Sequence, residues 1–439
     1  MSESKTSCEP RSVLLVAYYF PPLGMGGTQR VAKWGKYFLR LGWQVTVITV
    51  KPITYYAFDD SLLNELEGAR IIRTGSLDPA RLLYLLRRKK KRRASEKDGS
   101  LPTFSRVIGK AQSGLYWVLI PDARILWLPF ALWHTWREIR QQKIPFIVTS
   151  GPPHSSHFVG WILSKFTGVK WVSDFRDSWL QGNLLPTPTA LHRWLHRVME
   201  KRILTDAHAV TATSQILVDT LAGIGQRKAG TTYFLPNGYD GDDFAEPVPI
   251  SDGCFDVAYV GAISSFADPR TLLEGFRLFV ETAQLSPDET RLYFIGADVT
   301  GKLSTWVREN GLDKHVKAGG YVPHHEAIKA MRQADLLVYL VCPGSFQALI
   351  PGKTFEYIAA GKPVLAIGDR IEGTQWLMQH AAVRHCDFHA IDAIRCALLA
   401  FYDEFYKGEL PKTSSPSTEF SREWQTKKLA EILSSTLHS

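Results

Sequence analysis

The residues with the clearest chemical potential are Lys353 and Glu356, which stand three positions apart. In a helix this spacing places both side chains on one face of a single turn. A helix N-terminus offers free N–H groups and partial positive charge, so together with the ammonium of Lys353 it could hold a phosphate. The carboxylate of Glu356 could accept hydrogen bonds from two hydroxyls of a ribose or a sugar. A weak exposed ion pair is the alternative interpretation of the same spacing.

The sequence around this pair predicts the short helix that would position it. Pro351 lies just before the helix start, where its missing N–H costs little. Gly361 and Pro363 indicate the helix end, because glycine commonly follows the last turn and proline cannot continue it. The apolar residues 364–367 then predict a buried strand.

A second group of polar residues follows two predicted strands, at 145–150 and 170–173. Its members are His154, His157, Asp174, Arg176 and Asp177. The carboxyl ends of parallel strands line the crevice where ligands bind in an open α/β sheet. Five polar residues at two successive strand ends favour a site, while a structural role remains the alternative for each histidine.

Apolar strands alternate with helical segments along the whole chain, which predicts parallel sheets and a doubly wound α/β fold. In the first half, strands at 12–18 and 44–50 flank a helix expected at 29–41, with Thr28 as its N-cap. In the second half, strands are expected at 257–260, 291–295, 315–317, 336–340 and 364–367. Helices are expected at 270–284, 326–333 and 420–437.

The chain of 439 residues is long enough for two domains of about 200 residues each. We predict an N-terminal domain over 1–240 and a second domain over 241–415. A final segment, 416–439, is expected to cross back to the first domain. Residues 75–115 lack strong periodicity and are expected to be a mobile insertion.

The segment 351–366 resembles the donor-site motif P-S-K-x-x-E-Y-x-A-x-G-K-P-V of the GT-B glycosyltransferases, in particular the retaining family-4 enzymes. The resemblance implies that Lys353 contacts the diphosphate of a nucleotide sugar and that Glu356 binds its ribose, with Tyr357 in the same donor site. It extends to weaker matches at 18–30 and 236–240. These add donor-binding candidates at Gly26, Gly27, Asn237, Gly238 and Gly261.

The chain departs from that family at two positions. The family often carries another glutamate eight positions before the one matched by Glu356, and this chain has Ala348 there. In the family that carboxylate contacts the donor sugar, so the sugar is left open. The loop at Gly261 also lacks the arginine that the family often has, so charge compensation would rest more heavily on Lys353.

The resemblance implies two Rossmann-like domains facing a central cleft and transfer of a sugar from a nucleotide diphosphate sugar with retention of configuration. It implies no metal ion and no cofactor besides the nucleotide sugar as co-substrate. His154, Asp174 and Arg176 are the candidate catalytic contacts on the acceptor side. Two alternatives stay open: a sugar-nucleotide epimerase or hydrolase of the same fold, and a non-catalytic nucleotide-sugar-binding protein.

The positive charge of the chain is concentrated in one segment. The net charge is +9, and the run Arg87–Arg93 supplies seven of those charges. Leucines at 82, 83, 85 and 86 precede the run, and tryptophans stand at 117, 127, 133 and 136. Apolar residues beside a basic block favour attachment of residues 80–140 to an anionic membrane surface. A nuclear or nucleic-acid signal and a solvated loop are the alternatives, and no nucleic-acid partner is expected.

Cysteine usage and the N-terminus bear on localisation. The five cysteines show no C-x-x-C spacing, which argues against a disulfide framework or a zinc site and fits a reducing compartment. Residues 1–10 are polar and lack the apolar core of a signal peptide. We therefore expect a cytoplasmic protein attached to the inner face of the cell membrane, with a lipid-linked or polysaccharide acceptor.

Overall fold

The computed structural model describes residues 11–24, 26–55, 57–93, 117–182, 185–247, 253–411, 413 and 416–437, and only the backbone for 87–93. The chain divides into two compact units. Unit 1 comprises Met1–Leu235 together with Gln425–Ser439, and unit 2 comprises Pro236–Trp424. Residues 1–10, which were predicted to lack a signal peptide, lie outside this described part.

Unit 1 contains a parallel sheet of seven strands in the order β3-β2-β1-β4-β5-β6-β7. The strands are β1 (Ser12–Val16), β2 (Gln44–Val50), β3 (Arg70–Thr74), β4 (Phe146–Gly151), β5 (Lys170–Phe175), β6 (Ala209–Ala212) and β7 (Thr232–Phe234). The central strand β1 is buried over its whole length, as expected for a parallel strand that is covered on both faces.

Helices of unit 1 connect these strands and cover the sheet. They are α1 (Gly26–Arg40), α2 (Ser61–Asn64), α3 (Pro79–Arg93), α4 (Leu128–Gln142), α5 (His157–Thr167), α6 (Ala190–Asp206) and α7 (Gln215–Gly225). The last helix of the chain, α14 (Arg422–Ser435), contributes Leu429, Ile432 and Leu433 to the same core as β1. Its apolar residues are therefore buried within unit 1.

Unit 2 contains a parallel sheet of six strands in the order β10-β9-β8-β11-β12-β13. The strands are β8 (Phe255–Val260), β9 (Thr290–Ile295), β10 (Val316–Gly320), β11 (Leu336–Val341), β12 (Val364–Gly368) and β13 (Val383–Cys386). The helices are α8 (Arg270–Ala283), α9 (Leu303–Glu309), α10 (His324–Gln333), α11 (Lys353–Ala360), α12 (Glu372–His380) and α13 (Ile391–Tyr406). The two parallel sheets with alternating helices confirm the predicted α/β fold class with two Rossmann-like sheets.

Several local expectations were wrong. Helix α1 begins at Gly26 and not after Thr28, so Thr28 lies inside the helix and is not its N-cap. Residues 79–93, expected to be part of a mobile insertion, form α3. That helix is dominated by cations, which hide the apolar periodicity that identifies a helix. Residues 94–116 of the same predicted insertion lie outside the described part of the chain.

The four tryptophans that were assigned to a membrane-contact region separate into two kinds. Trp127 is fully buried, and its indole N–H donates to Thr74 Oγ1 at 2.7 Å, so it belongs to the core. Trp117, Trp133 and Trp136 are exposed. Among the described residues, no helix is both long and apolar enough to cross a bilayer.

Candidate active site

Helix α11 follows a tight turn whose carbonyls accept hydrogen bonds from two of its first amides. The Thr354 N–H donates to the carbonyl of Pro351 at 3.0 Å, and the Phe355 N–H donates to that of Gly352 at 3.2 Å. The helix ends at Gly361, whose φ of +70° is the left-handed conformation that favours glycine at this position. As predicted, a short helix thus places Lys353 at its first position, just ahead of the buried strand β12.

The ammonium of Lys353 is surrounded by aromatic rings. Its Nζ lies 4.2 Å from the ring centre of Tyr259, 5.1 Å from that of Tyr339 and 5.9 Å from that of Tyr357. Ring faces attract a cation, but they supply no hydrogen-bond acceptor as strong as an oxygen. Within the described residues Nζ has no hydrogen bond and no ion-pair partner. A cation is therefore held at the start of α11 with its donors unused.

This environment changes the acidity of Lys353. Burial lowers the pKa of its ammonium to about 7, although the carboxylate of Glu356 acts in the opposite direction. Desolvation penalises the charged form, so the group is only partly protonated near neutral pH. An anion bound at Nζ would favour the charged form again. The site is consequently one where anion binding and proton uptake are coupled.

The three tyrosines hold the walls of this site together. Tyr357 is fully buried, and its hydroxyl interacts with the amide of Val260 at 3.1 Å and the carbonyl of Val338 at 3.1 Å. Tyr339 shares a hydrogen bond of 3.0 Å with Thr354 Oγ1. The Tyr357 hydroxyl is thus bonded to main-chain groups and its ring supports Lys353, while the donor contact that the resemblance implies for Tyr357 stays a prediction.

Sequence reasoning named neither Tyr259 nor Tyr339 as part of this site. Both are buried positions on strands, β8 and β11, where tyrosine is a common residue and indicates only a strand. Gly261 directly follows β8 and has a φ of +147°. A Cβ at this position would lie 3.3 Å from Lys353 Nζ, so the glycine leaves room beside the ammonium. The only signal in the sequence was a tyrosine in the second half of each of these two strands, near the strand end where ligands bind.

Glu356 lies on the same helix but in a more polar environment. It is almost completely buried, and its Oε1 is 3.9 Å from Nε2 of His324. The same Nε2 lies 3.1 Å from Oδ2 of Asp243, in the segment that follows β7. His324 thus stands between two carboxylates at the start of α10, a feature that the sequence did not reveal because the three residues are far apart along the chain.

The remaining donor-site candidates of unit 2 lie near the loop that precedes α11. The amide nitrogen Nδ2 of Asn237 is 3.5 Å from the carbonyl of Ile350, and Gly238 is buried beside it. Ala348, at the position where the family often has glutamate, is buried in the same loop. Lys353, Glu356, Gly261 and Asn237 therefore all belong to unit 2.

Asp174 of unit 1 is completely buried and fully engaged. It accepts hydrogen bonds from Arg30 Nε at 3.1 Å and Nη2 at 2.8 Å, and from Ser150 Oγ at 2.7 Å and Thr211 Oγ1 at 2.8 Å. Arg30 also donates to the carbonyl of Leu235 at 2.7 Å. The four bonds use the lone pairs of the carboxylate, so this geometry favours a structural role over catalysis.

Arg176 follows β5 and binds main-chain oxygens at the start of α1 and at the end of β4. Its Nε donates to the carbonyl of Gly151 at 3.3 Å, and its terminal nitrogens donate to the carbonyls of Gly27 and Pro152. A Cβ on Gly27 would lie 3.1 Å from Nη1, whereas one on Gly26 would meet nothing within 4 Å. Arg176 thus fixes the start of α1 against the loop after β4, and Gly27 permits that approach.

The two histidines after β4 are buried and uncharged. His154 stacks on the ring of Trp179 with centres 4.6 Å apart, and burial, helped by His157, lowers its pKa well below the ordinary value. Burial and the charge of Arg176 lower the pKa of His157 to about 3. Among described residues, His154 Nδ1 and His157 Nε2 have no hydrogen-bond partner. Each ring is therefore neutral and enclosed, and one of its nitrogens carries no hydrogen bond in the described part of the chain.

The first part of the chain is similar to a known protein family. Residues 25–238 match the model of a glycosyl transferase 4-like domain. Among curated proteins, no match to this chain was found.

Solved structures of similar fold cover almost the whole chain. A glycosyltransferase from Rickettsia africae ESF-5 is 14% identical, covering 98% of this chain and 99% of that one with a TM-score of 0.60. Sucrose-phosphate synthase from Thermosynechococcus elongatus is 17% identical, with 98% and 99% covered and a TM-score of 0.61.

TarM of S. aureus, solved with Fondaparinux, α-GlcNAc-glycerol and UDP, is 10% identical, with 96% and 99% covered and a TM-score of 0.60. At these identities the likeness concerns the fold. The chain therefore has the GT-B fold, and its residues 25–238 are similar to a glycosyl transferase 4-like domain.

Proposed function

We propose that this chain transfers a sugar from a nucleotide diphosphate sugar to a lipid-linked or polysaccharide acceptor. The family match supports glycosyl transfer in general. The observation that carries the finer proposal is the ammonium of Lys353, held at the N-terminus of α11 with unused donors. A diphosphate leaving group needs positive charge where its own charge develops, and a fixed cation at a helix end supplies it.

The proposed roles follow from what each side chain offers. Lys353, at the positive end of α11, binds the diphosphate, and Glu356 accepts hydrogen bonds from the ribose. No resident metal ion is required, because the cation and the helix end provide the electrostatic stabilisation. The leaving phosphate assists deprotonation of the acceptor hydroxyl, and the configuration at the anomeric carbon is retained.

In unit 1, we assign acceptor or sugar contacts to His154 before the other candidates. Its Nδ1 has no partner among the described residues and its ring is fixed by Trp179. Because its pKa is lowered, it would act as a neutral hydrogen-bonding group. Asp174 and Arg176 position the elements that surround it, through the contacts described above.

The proposed acceptor class rests on the surface of unit 1. Helix α3 exposes Leu82, Leu85 and Leu86 and continues into the basic run Arg87–Arg93. Trp133 and Trp136 form an exposed pair with ring centres 5.4 Å apart. Tryptophan favours the boundary between membrane and water, and basic residues favour anionic lipid. We propose peripheral attachment to the cytoplasmic face of the membrane through these residues.

One experiment tests the reaction class. The purified protein is incubated with a panel of radiolabelled nucleotide diphosphate sugars and a membrane lipid extract. Label that moves into lipid supports the proposal. A chemically altered donor without transfer would instead indicate an epimerase or hydrolase, and binding without any change would indicate a nucleotide-sugar-binding protein. Neutralising Arg87–Arg93 should weaken binding to anionic vesicles in a flotation assay, and undiminished flotation would contradict the attachment.

A further inference from the structure

Helix α6 carries an apolar stripe on its outer side. Leu191, Trp194 and Val198 are 61%, 58% and 45% exposed, and their spacing places them on one face of the helix. The opposite face, which includes His196, Glu200 and Ile203, is buried. Scattered exposed apolar residues are ordinary, but a row that includes a tryptophan is a feature of interaction surfaces.

A row of cations runs beside this stripe. Arg193, Arg197 and Lys201 are exposed and follow one another at intervals of four residues. The acidic residue closest to them in the helix, Glu200, has its side chain buried. Like charges at this spacing destabilise an isolated helix. In contrast, the partly exposed Arg277 of α8 is paired with Glu281 on the same helix at 2.8 Å.

A neighbouring segment enlarges the apolar area. The ring of Trp117 makes an edge contact with His192 in the first turn of α6, and His192 Nε2 lies 3.3 Å from the Trp117 carbonyl. Trp117 and Val118 are themselves exposed. The stripe, the cations and these two residues together are called the α6 surface below.

We propose that the α6 surface docks on an anionic lipid bilayer. An interfacial helix presents apolar residues to the acyl boundary and cations to the headgroups, with tryptophan at the boundary between them. The α6 surface has each of these parts, and an anionic surface would relieve the repulsion among its cations. A nucleic acid would use the cations but leave Leu191, Trp194 and Val198 in water.

This surface is distinct from α3 and the run Arg87–Arg93, and it does not depend on the proposed sugar chemistry. Two separate sites on one bilayer bind with a combined affinity greater than either one alone.

The test measures binding of the full chain to vesicles of phosphatidylcholine with and without phosphatidylglycerol. The variant Arg193→Gln/Arg197→Gln/Lys201→Gln should bind the anionic vesicles about 100-fold more weakly, since each cation near such a surface contributes a factor of about five. The matched control Lys302→Gln/Arg308→Gln/Lys314→Gln removes the same charge from exposed positions of unit 2 and should bind like the wild type.

A second variant separates the apolar contribution. Trp194→Gln should weaken binding at low and at high salt, whereas Phe266→Gln, which changes an exposed aromatic residue of unit 2, should not. The thermal midpoint of each variant reports whether it folds. Equal vesicle binding by the folded α6 triple variant and the control would overturn the proposal. Loss of duplex DNA binding in that variant, with vesicle binding unchanged, would also overturn it and assign the surface to nucleic acid.

Discussion

Two charged sites in this molecule are built in opposite ways. In unit 1, Asp174 is completely buried, and Arg30, Ser150 and Thr211 occupy its carboxylate. In unit 2, the ammonium of Lys353 faces tyrosine rings and has no hydrogen-bond partner in the described part of the chain. Both sites lie at the carboxyl ends of parallel strands, where sequence reasoning expects ligands.

The difference shows that position at a strand end is not enough to identify a binding residue. A buried charge whose hydrogen bonds are complete contributes to the fold, and removing its partner is costly. A buried charged group whose hydrogen-bond donors are unused destabilises the free protein. It gains a partner only when a ligand binds. Lys353 fits the second description, and this makes it the stronger candidate for contact with substrate.

The largest effect is expected from a substitution at Asp174. Asp174→Asn keeps the shape of the side chain but leaves the Arg30 guanidinium buried without its counter-charge. We expect the free energy of unfolding to fall by about 3–5 kcal/mol, as is found when one partner of a buried ion pair is removed. Denaturant unfolding measures this. A variant of wild-type stability that has lost transfer activity would instead make Asp174 a catalytic residue.

A replacement at Lys353 should change stability in the opposite direction. Its pKa falls from an ordinary 10.5 to about 7 on folding, so between those values the unfolded chain binds more protons than the folded one. Wild-type stability should therefore rise with pH through that window. Lys353→Met should remove the slope and, at pH near 7, raise the free energy of unfolding by on the order of 3 kcal/mol.

The same variant should bind nucleotide sugars more weakly. Loss of a charge-assisted phosphate contact costs about 1.5–3 kcal/mol, which corresponds to a factor of about 10–100 in affinity. Calorimetry against wild type measures it, and Lys329→Met, at an exposed position of α10, is the control. A Lys353→Met protein that is less stable than wild type, or that keeps full affinity, would remove Lys353 from the donor site.

The smallest expected effect concerns Glu356. Glu356→Gln removes the charge but keeps one acceptor oxygen, so affinity for a ribose-containing donor should fall about tenfold. A 2′,3′-dideoxyribose analogue of the donor lacks the hydroxyls that would donate hydrogen bonds to Glu356. Wild type and variant should therefore bind this analogue with equal affinity. An equal loss with both ligands would show that Glu356 acts elsewhere in the site.

Much of the architecture follows from local sequence signals. The buried strands β1 and β12 are continuous apolar runs, and the end of α11 is marked by Gly361 and Pro363. These signals are local, so a single sequence contains them. The short edge strand β13 was missed because it contains Arg384 and His385, which do not form an apolar run.

The composition of the two charged sites could not be predicted in the same way. Arg30 stands in an amphipathic helix, where an arginine ordinarily indicates the solvent face, yet it is buried against Asp174. The rings of Tyr259 and Tyr339 meet Lys353 only through the pairing of β8 with β11. Whether a charged side chain has its hydrogen bonds satisfied depends on such contacts between distant residues. Spacing along the chain does not encode these contacts.

Proton uptake on ligand binding tests the central claim most directly. Calorimetric titration of a nucleotide diphosphate sugar is carried out at pH near 8 in buffers of different ionisation enthalpy. With a Lys353 pKa of about 7, binding of the diphosphate should take up most of one proton per ligand in the wild type and none in Lys353→Met. Binding of the donor to the wild type without proton uptake would contradict the assignment of its diphosphate to Lys353.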